Sequence, residues 1–167
     1  MLDDIHALRR FGKTLSCDKW ISPFPALEEL CQVMMGHKLF SCSIFRMSGP
    51  QQGVAARVYS NDAGSYPISG LKEIVPNRWT EHVILRRQTF VANSVDGFMD
   101  VFPDHALIAS LGLGSVVNLP VILRGEFIGT VNMLHTAGHY TDARLRAMED
   151  LVVPSLLAFE ASPEAAK

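Results

Sequence analysis

Three hydrogen-bonding side chains, Asn118, Thr130 and Asn132, recur in a stretch that is otherwise rich in Val, Ile, Leu and Phe. The stretch contains two runs of β-type composition, Ser115–Leu123 and Phe127–His135, on either side of a corner that contains glycine. Glycine permits the positive φ that a tight reversal needs, so the pattern predicts an antiparallel hairpin. Amide and hydroxyl groups that converge among apolar neighbours are typical of a site that binds a small molecule.

Alternation along the two strands decides which side chains share a face of the hairpin, because neighbouring residues of a strand lie on opposite sides. One face is wholly apolar, whereas the other mixes apolar residues with the three polar ones. The mixed face carries Val116, Asn118, Pro120, Ile128, Thr130, Asn132 and Leu134. Two interpretations are open: this face meets water, as one side of an antiparallel sheet commonly does, or it lines a small-molecule pocket.

Several motifs surround the hairpin. They are NLPV at the end of its first strand, the turn Arg124-Gly125-Glu126, the run FIGTVNML, and an amphipathic C-terminal helix after His139-Tyr140-Thr141-Asp142. Further back come RRQTFVANSVDGF, PDHALIASLGLGS and a helix followed by SCSIFRM. Together these motifs resemble a GAF domain, and the resemblance covers about residues 20–160.

The resemblance implies an α/β fold of the α+β type, as in GAF and PAS domains. Such a fold is a five- to six-stranded antiparallel sheet with helices packed on one face and a cover of loop and helix over the other. The resemblance also implies that the segment Asp96–Leu111 closes over a ligand. It does not identify that ligand, since the family binds cyclic nucleotides, haems, bilins and amino-acid-like effectors, or no ligand at all.

Local signals predict the remaining elements. The predicted strands are Ser41–Met47, Val54–Ser60 and Thr89–Asn93. The predicted helices are one over about residues 4–15, one opened by Pro23 and Pro25 and ended by Gly36, a short one capped by Thr80, one from Pro103-Asp104 to Gly112, and a final one from Thr141 that Pro154 kinks or interrupts. Residues 61–77 show no regular pattern. The first helix has an apolar edge, expected to pack on the last helix or on a second copy of the protein, formed by Ile5, Leu8, Phe11 and Leu15.

The candidate pocket lies between the mixed face and the cover. Strand alternation adds Ser43 and Phe45 to the mixed face, and the resemblance implies that Phe98, Phe102, Ile108 and Leu111 form the lid. The full candidate set is Ser43, Phe45, Trp79, Phe98, Phe102, Ile108, Leu111, Val116, Asn118, Ile128, Thr130 and Asn132. Its polar members are expected to hold the polar groups of the ligand, and replacing Asn132 by Leu is expected to abolish binding while the fold is kept.

No nucleophile motif, carboxylate pair or phosphate-binding loop indicates an enzyme. Six histidines lack metal-ligand spacing and the three cysteines form no CxxC pair, so neither a metal site nor a disulfide framework is expected. We expect Cys31 and Cys42 to be structural, and Cys17 to be the most exposed thiol. Within the family, the stretch DHALIASLG lacks the cysteine of covalent bilin binders, and neither a haem signature nor the cyclic-nucleotide signature is found. The cofactor is therefore unknown.

Composition limits the classes of partner and location that are expected. The chain has 167 residues, a formal net charge of −2 and 48% hydrophobic residues. This charge gives no reason to expect binding to nucleic acid or to an anionic membrane. No apolar run approaches the roughly 20 residues of a membrane helix, and acidic residues precede any apolar block, so we expect a cytoplasmic protein. We expect one domain over residues 1–167, with a frayed tail at 162–167.

These observations favour a sensory domain that binds a small cytoplasmic metabolite and acts in signal transduction by associating with a separate signalling protein or with itself. The apolar edge of the first helix makes a homodimer the expected assembly. Two alternatives are open. The chain is a ligand-free dimerisation or protein-interaction module, or it is a small thiol-dependent redox enzyme of the methionine sulfoxide reductase type that uses Cys42 or Cys31.

Overall fold

A computed structural model describes residues 2–164 and contains a six-stranded antiparallel sheet. The strands are β1 (Leu39–Gly49), β2 (Gln52–Ser60), β3 (Lys72–Glu73), β4 (Phe90–Ala92), β5 (Ser115–Leu123) and β6 (Glu126–His135). Their order across the sheet is β3-β2-β1-β6-β5-β4, so the two long hairpins pair through β1 and β6 at its centre. The three residues 165–167 of the predicted frayed tail lie outside the described part.

Residues 2–164 also form six α-helices. They are α1 (Leu2–Leu15), α2 (Phe24–Met34), α3 (Arg78–Thr80), α4 (His105–Ser110), α5 (Asp142–Ala147) and α6 (Val152–Glu160). A π-helical segment, Glu81–Leu85, continues α3, and 3₁₀ turns span Val95–Gly97 and Met148–Leu151. Within residues 2–164, no helix has the length and apolar character needed to cross a membrane.

The hairpin β5–β6 confirms the prediction, although its turn is tighter than the predicted corner. Only Arg124 and Gly125 lie between the strands, with φ values of 52° and 84°, while Glu126 already belongs to β6. Positive φ at both central residues is the signature of a type I′ turn, whose twist matches that of the strands it joins. The turn sets the pairing of Leu123 with Glu126, and a register shift after Ile122 then brings Asn118 opposite Asn132.

Each face of the sheet is covered by a different layer. Helices α1, α2 and α6 pack on one face through a helix-side core that includes Leu27, Cys31, Val131 and Phe159. The segment from α3 to α4 covers the opposite face through a cover-side core. That core includes Val83, Phe98, Val101, Ile108, Val116 and Leu134. The predicted arrangement, helices on one face and a loop and helix cover on the other, is confirmed.

Helix α6 approaches the sheet closely because β6 has a glycine at the crossing point. A Cβ atom on Gly129 would lie 2.1 Å from Cε1 of Phe159 and 2.6 Å from the carbonyl oxygen of Ser43. Both distances are far below van der Waals contact, so only glycine lets the Phe159 ring lie on the strand. Glycine is otherwise unfavourable inside a strand, and its presence here is explained by this contact.

The N-terminal helix buries a narrower edge than predicted. Phe11 is buried together with Ala7, whereas Ile5 and Leu8 are 44% and 51% exposed. Ile5 and Leu8 are therefore exposed, and the packing of their edge on a second copy of the protein stays a prediction. Helix α1 packs on α2 through its Ala7 and Phe11 side, and a period of 3.6 residues places Ile5 and Leu8 away from that contact.

The structure corrects the predicted cap of α3 and shows the predicted interruption of the last helix. The cap of α3 is Asn77 rather than Thr80, because Asn77 Oδ1 accepts from the backbone N–H groups of Trp79 (2.9 Å) and Thr80 (3.0 Å). The last predicted helix is interrupted next to Pro154, because the 3₁₀ turn Met148–Leu151 separates α5 from α6. Pro154 is the third residue of α6, where a backbone N–H has no partner within the helix.

Candidate functional site

A cavity of about 150 Å³, here the inner chamber, lies between the mixed face of the sheet and the cover. Strands β1, β2, β5 and β6 form its floor, and residues from the segments before α3 and around α4 close it. Its lining residues are Ser41, Ser43, Phe45, Arg57, Tyr66, Trp79, Phe102, Ile108, Val116, Asn118, Thr130, Asn132 and Leu134. The mixed face is therefore covered, and Asn118 and Thr130 are only 4% and 1% exposed.

Neutral polar side chains form a continuous row across the floor of the inner chamber. The indole Nε1 of Trp79 donates to Asn118 Oδ1 (2.9 Å), and Asn118 Nδ2 donates to Asn132 Oδ1 (2.7 Å). Asn132 Nδ2 in turn donates to the hydroxyl oxygens of Ser41 (3.3 Å) and Ser43 (3.4 Å). Strand register produces this row, because Asn118 lies opposite Asn132 and Asn132 lies opposite Ser41.

Aromatic rings frame the row and fix Trp79 over it. The Trp79 ring stacks on Phe45 at a centroid distance of 6.0 Å and meets the edge of Phe102 at 6.4 Å. Phe45 also packs edge to face against Phe127 at 5.0 Å. Since the Asn77 cap fixes the first turn of α3, the indole N–H is held where it donates to the polar row.

Arg57 and Tyr66 form one wall of the inner chamber. The Arg57 guanidinium carbon lies 3.6 Å from the centroid of the Tyr66 ring, and Arg57 Nη1 donates to the carbonyl oxygen of Pro67 (2.8 Å). The Tyr66 hydroxyl donates to the carboxylate of Asp104, next to α4. Burial lowers the pKa of Arg57 from its ordinary value, against the effect of Tyr66 and Asp104, and burial raises the pKa of Tyr66. The contacts join the loop after β2 to the cover.

A larger cavity of about 600 Å³, here the outer cleft, adjoins the inner chamber. Both are lined by Ser43, Phe45, Arg57, Trp79 and Phe102, so these five residues mark their junction. The outer cleft extends between β2–β3 and the segment from Met99 to His105. Its volume lies within the roughly 300–1,000 Å³ range of small-molecule sites, whereas the inner chamber alone suits only a small fragment.

Nine of the twelve candidate residues lie together around the inner chamber. They are Ser43, Phe45, Trp79, Phe102, Ile108, Val116, Asn118, Thr130 and Asn132. Two residues of the predicted lid, Phe98 and Leu111, do not line the inner chamber. Phe98 is fully buried behind Phe102, with ring centroids 5.7 Å apart, and Leu111 follows the end of α4 and is 36% exposed.

Ile128 was assigned to the wrong face because a bulge interrupts the alternation of β6. Val121 lies opposite Gly129 and Ile122 lies opposite Phe127, which leaves Ile128 as the extra residue. Ile128 packs against the helix-side core, while Phe127 lies on the cover side and contacts Phe45. A single extra residue shifts every later side chain to the other face.

Four lining residues were absent from the sequence-based set: Ser41, Arg57, Tyr66 and Leu134. Alternation could have found Ser41 and Leu134, which share faces with Ser43 and Asn132. Arg57 lies opposite Ser43, but a bulge at Val58 makes the strand pattern ambiguous. Tyr66 belongs to the irregular segment 61–77, which carries no periodic signal.

The buried thiols lie on the other side of the sheet from the inner chamber. Cys31 and Cys42 are fully buried in the helix-side core, and desolvation raises the pKa of both thiols. Cys17 is exposed. No cysteine lines the inner chamber or the outer cleft within the part of the chain described here.

Four of the six histidines have a ring nitrogen near a backbone carbonyl oxygen. Ring nitrogens lie within hydrogen-bond distance of a carbonyl oxygen in His37, His82, His105 and His139. His135 and His139 are four residues apart and stack with nearly parallel rings at 3.5 Å. Burial and the neighbouring His139 lower the pKa of His135. Among residues 2–164, no group of three or more His, Cys, Asp or Glu side chains is arranged to hold a metal ion.

Solved structures with this fold come from proteins of different activities. The phycoerythrobilin-bound GAF domain of a cyanobacterial phytochrome is 14% identical, with 99% of this chain and 97% of that chain covered and a TM-score of 0.64. The GAF domain of a two-component sensor histidine kinase from Bacillus halodurans is 14% identical, with 86% and 95% covered and a TM-score of 0.63. Free methionine-R-sulfoxide reductase from Neisseria meningitidis, in complex with its substrate, is 14% identical, with 97% and 91% covered and a TM-score of 0.59.

Identities this low establish a shared fold and carry no information about a shared ligand. No curated protein sequence matches the chain. The sequence profile of the GAF domain matches residues 25–153, which is well over half of the chain and includes every residue that lines the inner chamber. The chain therefore belongs to the GAF domain family.

Proposed function

We propose that this protein is a sensory domain that binds a small cytoplasmic metabolite between its sheet and its cover. The observation that carries the proposal is the neutral polar row from Trp79 through Asn118 and Asn132 to Ser41, enclosed in a chamber that joins an open cleft. A polar row under an apolar cover costs desolvation free energy that a purely structural sheet could avoid. A ligand that exchanges hydrogen bonds with the row offsets this cost.

Ligand binding would act on the contacts that close the site. The loop that carries Tyr66 meets the cover at Asp104, and Phe102 and Ile108 lie over the floor. A ligand that contacts both floor and cover binds the closed arrangement more tightly than an open one, and therefore shifts the population towards it. The signal is then a change in how well the cover is ordered.

The change is passed on through association with a separate signalling protein or with a second copy of the chain. Helix α1 supports self-association, because Leu2, Ile5 and Leu8 are 75%, 44% and 51% exposed and recur at intervals of three residues on one side of it. The same edge favours a second candidate function, a dimerisation module whose inner chamber stays without a ligand. Binding data separate the two.

The binding test uses the small-molecule fraction of a bacterial cell extract and equilibrium dialysis against three proteins. The wild type and Gln88→Leu are expected to retain one small molecule per chain, and Asn132→Leu is expected to retain none. Gln88 is exposed and outside both cavities, so its replacement controls for the general effect of an amide-to-leucine change. Equal retention by Asn132→Leu would contradict the proposed site.

A further inference from the structure

Resting on the proposed function, we infer that the ligand is a small monocarboxylate, with its carboxylate on Arg57 at the junction of the two cavities and its uncharged body in the inner chamber. The argument starts from the donors of Arg57. Its Nη1 group is engaged with the carbonyl oxygen of Pro67, whereas its Nε atom is buried and has no hydrogen-bond partner among residues 2–164. A buried N–H group without a partner is destabilising, and an acceptor at this place would satisfy it.

Arg57 is held in one orientation before any ligand arrives. Its guanidinium lies on the face of Tyr66, its Nη1 is fixed by Pro67, and its backbone N–H donates to the Ser69 hydroxyl (3.0 Å). An arginine whose planar group is fixed offers its Nε edge as a ready fork for two oxygen atoms of a carboxylate. Little side-chain entropy remains to be lost on binding.

The position of Arg57 places the charge of the ligand at the junction. Arg57 lies opposite Ser43 on the neighbouring strand, and both residues line the inner chamber and the outer cleft. The remaining polar groups that line the inner chamber are hydroxyl, amide and indole groups, all of which are uncharged. A charged group is therefore stabilised at the mouth of the inner chamber and not at its floor.

Size and charge balance restrict the ligand further. A cavity of about 150 Å³ accepts a group the size of benzene. In the outer cleft, Asp100 is paired with Arg78 at 2.7 Å, which leaves Lys72, His105 and the acid Glu73 as the other titratable groups along the wall, together with Arg57. The negative charge of Asp104 opposes the lowering of the Arg57 pKa by burial. One fixed cation at the mouth matches one negative charge, and a phosphate dianion would be left partly uncompensated.

The test uses the small-molecule fraction of a bacterial cell extract in two versions. The whole extract is used as prepared, and the depleted extract has lost its acids on a strong anion exchanger at pH 7. Protein incubated with each version is analysed by native mass spectrometry, and the released molecule is treated with acidic methanol. The whole extract is expected to yield a bound molecule and the depleted extract none. Esterification is expected to add one methyl group to the released molecule.

Arginine variants test whether Arg57 is the partner of the carboxylate. Arg57→Gln is expected to lower affinity for the released molecule at least tenfold, which corresponds to about 1.4 kcal/mol, and Arg46→Gln is expected to leave it unchanged. Arg46 is exposed on β1 and lines neither cavity, so it controls for the loss of one positive charge. If Arg57→Gln does not fold, Arg57→Lys is used, which keeps the charge but loses the planar fork, and the tenfold loss is expected there.

The outcomes separate this inference from the proposed function. The same molecule bound from the depleted extract, no methyl group added, or unchanged affinity in the folded Arg57 variant would overturn the monocarboxylate assignment and leave a ligand-binding domain in place. No molecule bound from the whole extract would overturn the proposed function itself, and the inference with it.

Discussion

At the scale of single residues, Asn132 is the centre of the polar row, because it accepts from Asn118 and donates towards two serines. Replacing Asn132 by Leu keeps the side-chain volume similar but leaves the Nδ2 group of Asn118 without its acceptor. We expect the free energy of unfolding to fall by about 1–3 kcal/mol, as for other buried groups that lose a partner. Urea denaturation measures this change, with Gln88→Leu as the control. An Asn132→Leu protein as stable as the wild type would show that the row contributes nothing to stability.

The two buried thiols give a second prediction at this scale. Burial raises the pKa of Cys31 and Cys42, and both thiols lie away from the inner chamber, so iodoacetamide is expected to modify only Cys17 in the native protein. Mass spectrometry after a timed reaction checks this, with the urea-unfolded protein as the control in which all three react. Rapid native modification of Cys31 or Cys42 would instead support the thiol-dependent redox alternative.

The raised pKa of the two buried thiols predicts a loss of stability at alkaline pH. The folded state keeps protons on Cys31 and Cys42 that the unfolded chain releases above the ordinary thiol pKa of 9.0. The folded state therefore binds more protons, and the free energy of unfolding falls as the pH rises above about 9. This loss is expected in urea titrations between neutral and alkaline pH, and it should be smaller in the Cys31→Ala and Cys42→Ala variants than in the wild type.

Much of the residue-level site could be predicted, and the failures have a common physical cause. Alternation along β5 and β6, with the resemblance around them, was enough to predict that Asn118 and Asn132 share one face. Ile128 and Arg57 were misplaced or missed because bulges at Ile128 and Val58 break the two-residue period. A bulge depends on cross-strand pairing, and a single strand's sequence contains no reliable signal for it.

At the scale of elements, the contact between β6 and α6 is the most sensitive point of the helix-side core. Gly129→Ala would place a methyl group 2.1 Å from Phe159 and 2.6 Å from the Ser43 carbonyl oxygen, so the helix or the strand has to move. We expect a loss of about 1–3 kcal/mol in the free energy of unfolding, typical of overpacking.

Gly70→Ala is the matched control for this substitution. Gly70 is exposed, and apart from its chain neighbours no atom of residues 2–164 lies within 4 Å of a Cβ built there, so the change is expected to be small. Urea denaturation of both variants measures the difference. Equal stability of Gly129→Ala and Gly70→Ala would contradict the close packing of α6 on the sheet.

Element positions followed the local signals closely, whereas element ends depended on tertiary contacts. The stop of α2 at Gly36 was predictable because glycine is the usual residue in a left-handed helix end. Gly36 adopts φ 73°, and its N–H donates to the carbonyls of Cys31 and Gln32. The sequence analysis assigned the cap of α3 to Thr80, a good capping residue, whereas the helix is capped three residues earlier by Asn77. Asn77 Nδ2 also donates to the Val101 carbonyl (3.2 Å) in the cover, a tertiary contact that has no local sequence signal.

At the scale of the whole molecule, the exposed edge of α1 predicts self-association. The double variant Ile5→Glu/Leu8→Glu places charges on that edge without touching Ala7 or Phe11, which hold the helix on the core. Sedimentation velocity is expected to find a dimer for the wild type and a monomer for the double variant.

Leu107→Glu is the control for added charge. Leu107 is 43% exposed on α4, at a comparable level to Ile5, but lies on the cover rather than on the α1 edge. This variant is expected to stay dimeric. A monomeric wild type, or loss of the dimer in Leu107→Glu alone, would contradict an interface at α1.

The central claim is that the enclosed polar row binds a small molecule, and native mass spectrometry tests it most directly. Wild-type protein and Asn132→Leu are incubated with the small-molecule fraction of a bacterial cell extract, transferred under gentle conditions, and then denatured to release what is bound. The account predicts one bound small molecule per wild-type chain and none on Asn132→Leu. An unliganded mass for the wild type, or the same adduct on both proteins, would contradict it.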